Sequence, residues 1–217
     1  MAKKKSKIKL RKDNLFIFFL IIILIVLLIT LFVLGKNVFK KTGGNVEEVK
    51  VVDSIDNFDY NLEENKSNYY KKLFNELKEL LNSDNVNEEE YAKIVTKLFV
   101  ADFYDLNSKS SKSDIGGTQY IHSDYQSQFE KKAKSKKGIY YYVKNNLDGN
   151  RKQELPKVKN VEIVSLKNSV FNFEKIKDDK SYVVDASITY EKDLGYQKNV
   201  TVTLIHNNKK LEIVEIK

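Results

Sequence analysis

The apolar positions of this chain fall into three successive patterns. Between Leu15 and Leu34 every residue except Thr30 is apolar, and none is charged. As a helix rising about 1.5 Å per residue, such a run reaches about 30 Å, the depth of a bilayer's hydrocarbon core. Buried soluble helices seldom stay apolar on every face for so long. Between residues 66 and 137 apolar side chains recur at three- and four-residue spacing, the period of helices with one buried face. After Pro156 the spacing drops to two, the period of strands. The expected order is a transmembrane helix over 14–35, then helices, then a sheet.

In the helical part, Tyr69, Tyr70, Leu73, Phe74, Leu77, Leu80 and Leu81 line one face of a helix over 66–82. Ser83-Asp84-Asn85 ends it. Asn87, with Glu90 three residues on, reads as an N-cap and its capping-box carboxylate. The helix it opens, over 88–106, turns Tyr91, Ile94, Val95, Leu98, Phe99 and Phe103 inward. Asn107 to Gly117 is a polar loop, and its Gly116-Gly117 pair suits a turn needing positive φ. Ser123 with Gln126 starts a third helix to about Lys137, carrying Tyr125, Phe129 and Ala133. Gly138 interrupts it, and Ile139 to Leu147 resumes as a further helical segment.

In the strand part, Val161, Ile163, Val170, Phe171 and Phe173 mark one long or two short strands. Residues 181–191 alternate, with Tyr182, Val184, Ala186, Ile188 and Tyr190 on one face. Residues 197–206 return with Val200, Val202 and Leu204, and Leu211, Ile213 and Val214 close the sheet. The fold class is α+β: an N-terminal transmembrane helix, then two to four helices packed on a curved antiparallel sheet of about four strands. Residues 36–65 read as a linker in which Val49, Val51 and Val52, or Ile55, Phe58 and Tyr60, can dock as a short strand. The folded domain is set at 66–217.

Charge then orients the span. Seven bases and one acid stand in residues 1–13, against Lys36, Lys40 and Lys41 after the run. The positive-inside bias puts this basic tail in the cytoplasm and the domain outside the plasma membrane, single-pass. The run exceeds the about 7–15 apolar residues of a signal peptide and exits without a small-x-small cleavage pattern. With no Cys in the chain, a lipoprotein site and disulfides are both excluded. The formal charge is +8, of which the first thirteen residues supply +6 (seven bases less one acid). The basicity is therefore topogenic, and nucleic acid is not an expected partner. Lysine outnumbers arginine by 36 to 2, and Asn and Ile are frequent, as in an A+T-rich bacterial genome.

The order of these elements, over residues 66–217 beyond a single span, resembles the nuclear transport factor 2-like fold. It is similar in architecture to membrane-anchored assembly components of type IV secretion and conjugation systems. The resemblance implies helices held in the concave face of a curved sheet, and a strand between helices that would here fall at Tyr120–His122. It does not choose a function, because that fold hosts enzymes, ligand binders and scaffolds.

Candidate chemistry is sparse. No nucleotide-binding, nucleophile-elbow or zinc-protease motif occurs, and the two His residues, His122 and His206, lie in different elements. No metal site and no cofactor is expected. Asp102 and Asp105, three apart on one helix, together with Tyr120 and His122 form the candidate pocket, since an Asp–His cluster at the open end of a cone suits acid–base work. Tyr140, Tyr141 and Tyr142 form a candidate interface, with core packing as the alternative. Lys131, Lys132, Lys134, Lys136 and Lys137 are a candidate contact for anionic lipid or wall polymer, or else a solvated face. The expected function is a membrane-anchored extracytoplasmic binding or scaffold domain, an interaction module of a bacterial envelope assembly. Its partners are the lipid bilayer and an envelope protein, and a homo-oligomer is compatible with it. The alternative is a ligand-binding or enzymatic cone around Asp102, Asp105 and His122.

Overall fold

The computed structural model describes residues 50–217. The expected span, its basic leader and the first part of the linker lie outside them. Among the described residues no helix is long and apolar enough to cross a membrane.

The described chain opens with a hairpin, β1 (Val51–Ile55) and β2 (Tyr60–Glu63). Helices α1 (Asn68–Leu81), α2 (Glu88–Phe103) and α3 (Ser123–Lys134) follow. Strands β3 (Val158–Phe173), β4 (Ile176–Tyr190), β5 (Asn199–Asn207) and β6 (Lys210–Ile216) then run as an antiparallel meander, in the order β3-β4-β5-β6. Among the described residues the fold is α+β, with three α-helices and a four-stranded antiparallel sheet beside the β1–β2 hairpin.

The periodicities produce this fold for the expected reasons. Tyr70, Leu73, Phe74, Leu77 and Leu81 of α1 are buried against α2, which in turn lies on β3, β4 and β6. Along β4, Tyr182, Val184, Ala186 and Ile188 are buried. On its other face Asp185 accepts from Ser165 and Thr201 (both 2.6 Å), a polar ladder across three strands. β3 is one strand interrupted by three register shifts, which keep Val158 and Val161 on the buried face.

Five expectations change at their edges. The domain begins at the β1–β2 hairpin, well before residue 66: Ile55, Tyr60 and Leu62 are buried in the same core. The Tyr60 hydroxyl lies 2.8 Å from that of Tyr91, which also accepts from Leu211 N–H. Asn87 caps α2 as expected, but Glu90 turns to Lys93 (2.6 Å). His122, not Ser123, caps α3, its Nδ1 accepting from Asp124 N–H, while Gln126 reaches the Thr118 carbonyl. No helix resumes after Gly138. Tyr140 folds back, its N–H on the Ala133 carbonyl, and Arg151 ties the following segment by donating to the carbonyls of Asn107, Lys109 and Lys144. The strand expected at Tyr120–His122 is a single parallel bridge, Ile121 to Ile213, with His122 N–H on the Ile213 carbonyl (2.9 Å).

Candidate functional site

Asp102 sits on α2 one turn beyond Leu98 and Phe99, inside the apolar stripe, and is buried. A carboxylate there needs compensation. Lys109 Nζ approaches Oδ1 to 2.5 Å and Lys66 Nζ to 2.9 Å, and Gly117 N–H donates to Oδ2 (2.8 Å). Burial works to raise the Asp102 carboxyl, but Lys109 and Lys66 together hold it well below the usual carboxylate range. Lys109 is itself buried, yet Asp102 keeps its ammonium above the ordinary lysine value against that burial. The loop closes over this centre tightly. Gly117 has φ 76°, which an L side chain resists. A Cβ on Gly116 would meet the Asp102 carbonyl oxygen at 2.3 Å.

Asp105 lies beside this pair. It accepts from Ser108 N–H (3.3 Å) and is buried. Burial pushes its carboxyl up to about 6, and the Asp102 charge adds to that push against the pull of Lys109 and the Ser108 amide. Tyr120 is fully buried, its hydroxyl 2.6 Å from that of Tyr70, which also accepts from Gln119. Tyr140 is buried too, donating to the Phe103 carbonyl and accepting from Gly116 N–H. His122 belongs elsewhere: it caps α3, and its Nε2 lies 3.9 Å from Glu212. Of the four expected pocket residues, Asp102, Asp105 and Tyr120 thus belong to a closed polar seam between α2 and the 106–120 loop. His122 stands at the β6 edge. The arrangement holds the loop down, and its partners leave no carboxylate facing an open cleft.

None of those four residues lines either of two clefts on the described surface. One is a groove of about 800 Å³ running between the 125–133 face of α3, the 137–139 turn, the far end of β3 and strand β6. Its walls are largely aromatic and aliphatic, with Tyr125, Phe129 and Ala133 facing in at helical spacing. The Tyr125 hydroxyl is buried and bonded to nothing among the described residues. The other cleft, also about 800 Å³, lies between Glu89, Glu90, Lys93 and Lys97 of α2 and residues 160–166 of β3, which is an edge strand. Tyr69 covers the start of that edge, accepting from Val161 N–H and donating to its carbonyl. Beyond it Val164, Val170 and Phe173 are 66%, 62% and 53% exposed.

The tyrosine run divides: Tyr140 is core, Tyr141 is intermediate and Tyr142 is 70% exposed. The lysine run lies along the groove. Lys131, Lys132 and Lys134 end α3, Lys136 and Lys137 follow it, and Lys132 and Lys137 line the opening. Among the described residues no group of three or more His, Asp or Glu side chains is placed to hold a metal ion. The sequence reading had no place for either cleft. The signal for the groove was present, because Tyr125, Phe129 and Ala133 share one face of an otherwise polar helix. No family model matches this chain, and no curated protein and no solved structure is similar to it by the same comparison.

Proposed function

We propose that this chain is a single-pass membrane-anchored binding module, carrying its α+β domain on the extracytoplasmic side of the plasma membrane as an interaction part of a bacterial envelope assembly. The nuclear transport factor 2-like architecture, with its curved sheet, is the fold this reading assigns, and the anchored components of type IV secretion and conjugation systems are an architectural analogy. The observation that carries it is the uncovered edge of β3. Soluble proteins shield long edge strands with charge, proline or a covering element. Here Tyr69 shields only the start, and the remainder presents exposed Val164 beside the mixed charges of α2, with Val170 and Phe173 exposed further along, at the α3 groove. An edge of that kind suits a partner's strand or loop.

The test keeps the chain whole in its own envelope. A photo-crosslinking residue at Val164 is expected to join it to one envelope protein, and one at Lys144, away from β3, to none. Val164→Lys should abolish co-purification of that protein while leaving the thermal midpoint within about 2 °C, as surface changes do. A Val164 crosslinker that captures nothing, or a Val164→Lys chain that still co-purifies the protein, removes the reading.

A further inference from the structure

The groove between α3 and β6 brings together two features. Its walls carry Phe103, Ile121, Phe129, Ile139, Phe171 and Ile213, and its volume of about 800 Å³ falls in the range of small-ligand sites. Its opening carries positive charge. Three lysines, Lys132, Lys137 and Lys217, and one acid, Glu215, line it, a balance of +2. Glu215 is already taken by Lys217 at 3.0 Å. Of the neighbouring lysines, Lys134 is spent on Glu130 at 3.5 Å, whereas Lys132 and Lys137 have no carboxylate partner among the described residues. Tyr125 also lines the groove, and its buried hydroxyl has no partner among the described residues.

We propose that this groove binds an anionic amphiphile, with an apolar chain lying along α3 over Phe129 and Ala133 and a carboxylate or phosphate head at Lys132 and Lys137. The two features select that class together. A neutral apolar ligand leaves the lysines unused, and a small hydrophilic anion leaves the aromatic walls wet. Charge-assisted bonds from two ammonium groups supply the discrimination, and burial of the chain supplies most of the affinity. This site goes beyond the β3-edge reading: Val164 lies on the other cleft, to which β3 gives residues 160–166, while it gives 170–173 to this groove.

The same chemistry has two sources, a free fatty acid or an anionic bilayer lipid, so the experiment has two arms. The full chain is placed in nanodiscs of zwitterionic phosphatidylcholine. It is labelled either with a diazirine fatty acid from solution or with a diazirine phosphatidylglycerol in the disc, and the labelled peptides are mapped by mass spectrometry. Label concentrated on residues 125–139 and 213–217 supports the site, and whichever arm gives it names the source. Lys132→Glu with Lys137→Glu should lower that label roughly tenfold, without lowering label on residues 15–34. A neutral diazirine monoacylglycerol should label the groove several-fold less. Label no richer in the groove than around Val164 overturns the proposal. So does equal labelling by the neutral probe, or a double variant that labels like the parent. None of these results depends on whether a Val164 crosslinker finds a protein partner, so the two readings fail separately.

Discussion

The seam around Asp102 and the groove beside α3 use the same residue types, lysine against tyrosine and phenylalanine, and treat their polar atoms in opposite ways. In the seam, Asp102 meets Lys66, Lys109 and the Gly117 amide, and the buried hydroxyls of Tyr70, Tyr120 and Tyr140 each have a partner. In the groove, Lys132 and Lys137 are unpaired and the Tyr125 hydroxyl is unbonded among the described residues. A cluster whose polar groups satisfy one another has nothing left to offer a ligand, so its perturbed carboxyls report burial and pairing. Polar atoms left over beside apolar walls are what recognition needs. A shifted pKa is thus a weak guide to function when the group's neighbours already account for it.

The comparison breaks first at Asp102. Replacing it with Ala strands the buried Lys109 charge and should cost about 3–5 kcal/mol in urea unfolding. A loss below about 1 kcal/mol would mean that water reaches Lys109 and that the seam is not sealed. Gly116→Ala should cost about 2–3 kcal/mol, because the new methyl meets the Asp102 backbone as well as the buried Lys109 ammonium.

Asp105 sharpens the comparison through pH. Its carboxyl titrates near 6 in the fold against an ordinary 3.8, so the unfolded chain releases its proton first as pH rises. The stability carried by the neutral carboxyl is full below about pH 4 and is lost as pH climbs through about 6. Asp105→Asn should therefore raise stability by about 1–2 kcal/mol near pH 7.5 and leave it unchanged near pH 4, read by thermal unfolding at both. An equal gain at both would show that its charge is not what the fold resists. The smallest effect belongs to the groove. Tyr125→Phe removes a hydroxyl with no protein partner and should shift unfolding by no more than about 0.5 kcal/mol. A loss above about 1 kcal/mol would reveal a bond that the described geometry lacks.

The helical stripes and the alternation after Pro156 made α1, α2 and the meander legible, because each side chain's burial there follows its own position in the repeat. The hairpin at 51–63 was read only as an optional strand, since Asp53, Asp56 and Asp59 hide its period. What fixes it is distant: Tyr60 depends on Tyr91 and Leu211, and Asn61 on Gln119. Asp102 and Asp105 were picked out as one cluster, but the partners that explain Asp102 were not. Lys66 and Lys109 stand in polar contexts that read as solvent. The legible clue was position, because Asp102 continues the stripe of Val95, Leu98 and Phe99 and so had to be buried. His122 could not be separated from that cluster by sequence alone, as its place depends on how the chain returns to β6.

The most direct test measures unfolding and groove labelling together on two variants, Lys132→Glu with Lys137→Glu, and Lys66→Met. The account predicts that the first keeps its thermal midpoint within about 2 °C and loses the anionic diazirine label, while the second drops by about 4 °C or more and keeps it. The reverse pairing, a groove variant that unfolds early and still labels, or a seam variant that is stable and no longer labels, would contradict it.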